Sequence, residues 1–301
     1  MKLKYRNGIL IEQEDTQERL LTCLYGSCAG RGLLKVLTRP WLSKAAGVFL
    51  SSRFSVPLIA PFIRKNQINM SEFETQSYGS YNEFFSRKIQ PQARPIDLDP
   101  EHLIAPCDSK LTVLPITEEQ HFTLKQTDYT VTSLLKNSRL AKHYEGGYAL
   151  IFRLTVDDYH RYCYMADGEK KENVRIPGVL HTVNPIANDH YPIYKENSRE
   201  YTLIRTNEFG TIVQMEVGAL LVGRIVNHHG AKRVRRGEEK GYFQFGGSTV
   251  VLLLQPEKAE IDEDILNNSA HGIETVVRMG EKIGAAVPNE STNKISKTDK
   301  K

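Results

Sequence analysis

No stretch of this sequence approaches the ~20 uninterrupted apolar residues that a membrane-spanning helix needs. Residues 1–15 carry acids and no apolar core, which reads against a secretory leader. Cysteine is scarce: only Cys23, Cys28, Cys107 and Cys163 occur. Cys23 and Cys28 have no second pair to complete a zinc site, so free thiols in a reducing compartment are expected, and no metal. A Walker-type phosphate cradle and a dinucleotide fingerprint are both missing, as is any repeat of fixed period. Acid is missing locally. Between Arg19 and Ser71 there is no Asp or Glu, while eight basic residues fall there: Arg19, Arg31, Lys35, Arg39, Lys44, Arg53, Arg64 and Lys65.

Among those cations Leu33, Leu34, Leu37, Leu42, Ala45, Ala46, Phe49 and Leu50 recur at roughly helical spacing, with Trp41 and Phe54 nearby. A basic segment with an apolar face suits the surface of an anionic membrane. The alternative is a helical cap packed on the body, its charges merely solvated. Nucleic acid is not expected as a partner, because no binding motif accompanies the charge.

The hydrophobic pattern changes along the chain. Residues 1–15 suggest a hairpin or extended arm around Asn7-Gly8, and residues 16–90 read mostly helical, broken at Pro40, Pro57 and Pro61. Pro91, Pro95 and Pro100 make an extended crossing. From Leu103 onward short apolar runs alternate with turn residues: Leu111–Leu114, Tyr148–Phe152, Thr211–Val217 and Val250–Leu254. Such runs predict strands, with one short helix near Thr132–Lys136. The expected fold class is α+β, a helical basic N-terminal region (1–100) followed by a β-rich barrel or sandwich catalytic body (101–290). A polar, disordered tail (291–301) closes the chain.

Gly246-Gly247-Ser248-Thr249 stands at the mouth of the last of those strands. Two residues without Cβ leave the backbone free to adopt unusual dihedrals and leave the Gly247 carbonyl open to the neighbouring hydroxyl. The chemistry this invites is attack by Ser248 on its own preceding peptide bond. The surroundings do not match the G-x-S-x-G elbow, since position 250 is Val. Asp108, in Ala105-Pro106-Cys107-Asp108-Ser109, reads singly as a turn aspartate. His160, in Asp157-Asp158-Tyr159-His160-Arg161, stands at a strand end and reads singly as structural. His228-His229 would point to opposite sides of a strand and so would rarely bind one ion together.

Together these segments resemble the phosphatidylserine decarboxylase family, which is pyruvoyl-dependent. The resemblance covers nearly the whole chain. It runs through Tyr81-Asn82-Glu83-Phe84-Phe85-Ser86-Arg87-Lys88 with Arg94-Pro95, Pro106-Cys107-Asp108 and Asp158-Tyr159-His160-Arg161. It continues in Pro177-Gly178-Val179-Leu180 with Val183-Asn184-Pro185, and in Val217-Gly218-Ala219 with Val222-Gly223. It ends in Gly237-Glu238-Glu239-Lys240-Gly241-Tyr242-Phe243 leading into Gly246-Gly247-Ser248-Thr249, the most specific block.

The resemblance implies self-cleavage between Gly247 and Ser248. Asp108 would orient a histidine, His160, which takes the proton of Ser248 Oγ. Ser248 would become a covalent pyruvoyl group on the new amino terminus, and the two pieces would stay together as a heterodimer of α and β chains. That group would condense with the amine of phosphatidylserine and act as the electron sink when CO2 leaves, and His160 would reprotonate the carbon to release phosphatidylethanolamine. The expected place is the cytoplasmic face of the cell membrane, peripherally bound. Two alternatives remain open: a lipid-surface binding homologue that has lost processing, and a Ser-His-Asp hydrolase.

One position departs from the family pattern, Tyr-His-Arg-x-His. The second histidine is here Cys163, and a thiol has neither the pKa nor the geometry of an imidazole. Either His160 covers both roles or another histidine does, with His181 in reserve. Asp157 and Asp158 compete with Asp108 as the orienting carboxylate.

Overall fold

The computed structural model describes residues 2–12, 27, 30, 34, 40–124, 127–182, 193–219, 224–244 and 248–288, and of 40–44 the backbone alone. Gly246, Gly247, Cys23, Cys28, the Val183-Asn184-Pro185 segment and the tail 291–301 lie outside the described residues.

Ser248–Leu254 is buried at every position. A strand covered on both faces carries a continuous apolar run rather than an alternating one, which is why Val250-Val251-Leu252-Leu253-Leu254 is unbroken. Its neighbours are Tyr148–Leu154 on one side and Thr211–Val217 on the other, both antiparallel. These three strands form the middle of an eleven-stranded sheet. The sheet continues from Tyr148–Leu154 through Ser109–Pro115, Glu274–Val277, Lys2–Tyr5 and Leu10–Glu12. In the other direction it runs through Arg199–Arg205 and Gly168–Lys170 to Lys232–Val234, with Val174–Ile176 also on Arg199–Arg205. The path is open. Of the expected barrel or sandwich the barrel is therefore not the architecture, because Lys232–Val234 and Leu10–Glu12 end the ladder without pairing to each other. The α+β class with a β-rich body stands. Smaller sheets pack around it, among them Ile225–Asn227, Glu239–Phe243 and Arg161–Cys163.

The hairpin around Asn7-Gly8 is present, with Lys2–Tyr5 antiparallel to Leu10–Glu12. It does not stand apart from the body, since Lys2–Tyr5 also pairs in parallel with Glu274–Val277. The short helix expected at Thr132–Lys136 is Val131–Leu135. Thr130 and Ser133 cap it reciprocally, and Lys136 stops it in the left-handed region at φ 53°.

Between residues 40 and 90 the described elements are helical, among them Pro40–Leu50, a 3-10 turn Arg53–Leu58, Ile59–Lys65 and Tyr81–Phe85. Pro61 does not break Ile59–Lys65, because it falls in the first turn, where its missing N–H has no intrahelical acceptor to lose. Ser80 starts Tyr81–Phe85 by accepting the Glu83 N–H. Leu50, Ile59, Tyr81, Phe84 and Phe85 form a small core of their own. It joins the body through Phe85, whose ring lies 4.0 Å from that of His160, and through Arg161, whose Nε donates to the Ser86 carbonyl at 2.8 Å. No helix of the described residues is long and apolar enough to cross a membrane.

Candidate active site

Strand register brings the three candidate residues to one end of the sheet. Ser248 opens its strand opposite Leu154, the last residue of Tyr148–Leu154. Lys110 lies opposite Arg153, so Asp108, two residues earlier, is at the same end. From Leu154 the chain turns once, through Thr155–Asp158, and reaches His160. That turn is tied by the Asp158 carboxylate, which accepts the Thr155 N–H at 2.7 Å and both bonds of Lys110 Nζ at 2.7 Å.

His160 is fully buried. Its Nδ1 lies 2.9 Å from the carbonyl oxygen of Asp158. A carbonyl only accepts, so the ring proton is on Nδ1 and the lone pair is on Nε2. Nε2 is buried without a partner. Burial pushes the His160 pKa down to about 3, with the nearby Arg87 cation adding to the shift, so the ring is neutral at ordinary pH. The Oγ of Ser248 is likewise buried and unbonded. An unbonded hydroxyl and an unbonded basic nitrogen thus stand at the same end of the sheet.

Asp108 is placed differently from a relay carboxylate. Arg94 Nε donates to both of its oxygens, at 2.9 and 3.0 Å, Arg94 Nη2 donates to Oδ2 at 2.6 Å, and the Met279 N–H donates to Oδ1 at 2.8 Å. Burial works against the Arg94 charge, but Asp108 and then Glu72 outweigh it and hold the guanidinium pKa above its ordinary value. No hydrogen bond joins Asp108 to His160. The imidazole is oriented by the backbone of Asp158, a partner that residue types alone do not reveal.

Cys163 is buried, and burial pushes its thiol up to about 12. Such a thiol stays protonated and is no base. Its N–H donates to the Pro106 carbonyl at 2.8 Å, which ties its strand to the Asp108 turn. His181 is also buried, which lowers its pKa. Asn197 clasps its backbone, accepting the His181 N–H at 2.9 Å and donating to the His181 carbonyl at 2.8 Å and to the Gly218 carbonyl at 2.7 Å. Gly218 follows Val217, which pairs with Thr249, so His181 too is near the start of the Ser248 strand. Beside it opens a cleft of about 650 Å³ lined by Leu180, Ser198, Gly218, Arg224 and Asn227. His228 and His229 have separate partners, Glu239 at 2.7 Å and the Tyr164 hydroxyl at 3.2 Å. Among the described residues no group of three or more His, Cys, Asp or Glu is placed to hold a metal.

The sequence profile described as phosphatidylserine decarboxylase matches residues 81–285, more than half of the chain. The chain belongs to the phosphatidylserine decarboxylase family. It is 48% identical over 265 residues to the phosphatidylserine decarboxylase proenzyme 2 of Clostridium acetobutylicum, covering 88% of this chain and 91% of that one. It is 39% identical over 273 residues to the phosphatidylserine decarboxylase proenzyme of Clostridium botulinum, covering 89% and 92%. The proenzyme of Ruminiclostridium cellulolyticum is 38% identical over 275 residues, again covering 89% and 92%. The family match begins at Tyr81, the first residue of the helix that carries Phe85 to His160. Sequence reasoning passed over Asn197, Arg94 and Arg87 as site residues. Asn197 and Arg94 act through backbone and ion-pair contacts that no local pattern announces.

Proposed function

We propose that this family member cuts itself between Gly247 and Ser248 and converts phosphatidylserine to phosphatidylethanolamine and CO2 with a pyruvoyl group made from Ser248. The observation that carries the reading is the pair of buried, unbonded atoms, Ser248 Oγ and His160 Nε2, at one end of the sheet. A buried hydroxyl without a partner is costly unless its chemistry is used.

In the first stage Nε2 takes the Oγ proton, and Oγ bonds to the Gly247 carbonyl carbon. The amide bond to the Ser248 nitrogen then breaks, the proton passes to that nitrogen, and an ester remains. Loss of the Ser248 α-proton with departure of the Gly247 carboxylate severs the chain and leaves dehydroalanine. Water converts this to the ketone and releases ammonia. The residues fit the group they would hold, since Ser248 is buried at the start of a wholly buried strand. A pyruvoyl group supplies an electron sink for the pair left behind by CO2. His160 Nε2, once it has taken up a proton from water, would then deliver it to the substrate carbon in place of the carboxylate.

The lipid-facing surface we assign to Val48, Phe49, Phe54, Val56 and Leu58, all exposed, with Phe54 83% exposed, beside the cations Arg53, Arg64 and Lys65. The protein would sit peripherally on the cytoplasmic face, in keeping with free buried thiols at Cys107 and Cys163.

Mass spectrometry of the purified chain tests this. The expected products are residues 1–247 and a 248–301 piece whose front end carries a ketone, and Ser248→Ala should abolish both the cut and CO2 release. A Ser248→Ala chain that still splits and evolves CO2 overturns the reading. Labelling of intact wild type by a serine-directed phosphonate would establish a hydrolase instead.

A further inference from the structure

Arg87 is 1% exposed and has no carboxylate partner. Its guanidinium lies over the rings of Phe73 and Phe84, 4.1 and 4.8 Å from their centroids. Nη1 makes one long bond, 3.4 Å, to the Phe84 carbonyl. Nε and Nη2 make none. The other deeply buried arginines differ. Arg94 and Arg153 pair with Asp108 and Glu274, and Arg199 donates to the carbonyls of Leu134, Ser133, Lys195 and Asn197. Leaving a buried cation unpaired costs far more than pairing it, so an unpaired one points to an absent anion.

A second buried group lies beside it. The Tyr78 hydroxyl is buried and unbonded, and its ring meets Phe84 edge-on at 5.4 Å. Burial raises the Tyr78 pKa, and the first charge opposing it is Arg87. Phe85, between Phe84 and Arg87 in the chain, lies against the His160 ring.

We propose that Arg87 and Tyr78 form a receptor for the phosphodiester of the lipid headgroup, with Nε and Nη2 donating to two oxygens and the Tyr78 hydroxyl to one. This rests on the decarboxylase reading above and deepens it. The headgroup offers two oxyanions, the phosphodiester and the carboxylate. An ion pair to the carboxylate would stabilise a charge that disappears as CO2 leaves, which raises the barrier. The phosphodiester keeps its charge throughout, so the same contacts hold substrate and product and leave the chemical step alone. The planar fork is suited to two phosphate oxygens at once, which a lysine ammonium is not.

The test uses the cleaved wild-type protein, Arg87→Lys and Tyr78→Phe. The probes are glycerophosphocholine, which has a phosphodiester and no carboxylate, and N-acetylserine, which has a carboxylate and no phosphate. Neither has a primary amine to react. Calorimetry should show glycerophosphocholine binding to wild type and weakening by about tenfold or more in each variant. Activity on phosphatidylserine in micelles should fall mainly through a raised KM. Tyr78→Phe preserves shape at a partly exposed residue, so it carries the test if Arg87→Lys does not fold. Wild-type glycerophosphocholine affinity and KM in Tyr78→Phe, or in a folded Arg87→Lys, would overturn the receptor. Weakened N-acetylserine binding with unchanged glycerophosphocholine binding would overturn the phosphodiester assignment in favour of the carboxylate. Binding is read apart from turnover, so a wild-type protein that binds the probe but releases no CO2 counts against the decarboxylase reading alone.

Discussion

A histidine in water changes charge near pH 6.5, in the range where most enzymes work. His160 does not, because the fold removes water from its ring, and this outweighs the Asp158 carbonyl on Nδ1, which favours the charged form. Self-cleavage that depends on the neutral ring should therefore keep its rate as pH falls from 7 to 5, measured by gel electrophoresis of freshly refolded precursor. A rate that halves near pH 6.5 would show an ordinary, hydrated histidine at work. The same depression has a stability consequence with a definite sign. The unfolded chain takes up a proton below about pH 6.5, while the folded ring waits until about 3, so acid favours unfolding across that window. The slope approaches about 1.4 kcal/mol per pH unit. Urea midpoints of wild type should fall more steeply with acid than those of His160→Gln. Cys163 gives the complementary case. A thiol held at about 12 neither gives nor takes protons at pH 7, so Cys163→Ala should still split completely. If it remained whole, the cysteine would have to be counted in the proton path.

Among the elements, the central strands were the most readable part of the chain. Thr211–Val217 was visible in full as a short β-branched run, and Val250–Leu254 missed only the two residues before it. The signal of Val250–Leu254 is local, since burial on both faces gives an unbroken apolar run, whereas Thr211–Val217 carries the buried polar Gln214 and Glu216 within it. The site was readable only in part. Ser248 announced itself by its two glycines, but the partners of the other candidates lie far along the chain. Arg94 reaches Asp108 fourteen residues on, and Phe85, in the small core before residue 90, reaches His160. Such pairings follow from strand order, which no window of sequence contains. The same distinction bears on the 3-10 turn Arg53–Leu58. In sequence its apolar residues fit a membrane-facing segment or a cap packed on the body, and in the structure Phe54 and its neighbour on the preceding helix, Phe49, face outward. Each buries about 1.5–3 kcal/mol of apolar surface if it enters a bilayer interface. Phe49→Ser with Phe54→Ser should therefore weaken sedimentation with phosphatidylglycerol vesicles by about tenfold or more, while self-cleavage stays complete. Unchanged sedimentation would move the lipid contact elsewhere on the protein.

At the scale of the whole molecule, the proposed cut falls at the start of a central strand of the sheet. Three of the four described strands after it pair with strands before it. Ser248–Leu254 is flanked by Tyr148–Leu154 and Thr211–Val217, and Glu274–Val277 lies between Ser109–Pro115 and Lys2–Tyr5. Lys282–Ala286 pairs with His102–Ile104, so the smaller piece is gripped at three separate places. Removing it would expose Val250, Val251, Leu252, Leu253 and Leu254, all fully buried, at about 1.5–3 kcal/mol each. That loss, about 7–15 kcal/mol together, is as large as what a whole domain usually has in reserve, so the two pieces can part only by unfolding together. The cleaved protein should therefore run as one species in native size-exclusion chromatography and resolve into two bands only in denaturant. Its hydrogen-exchange protection along 250–254 should match that of the uncut Ser248→Ala chain. Release of the 248–301 piece under native conditions would mean that the cut loosens the central ladder, and that this sheet does not hold the heterodimer together.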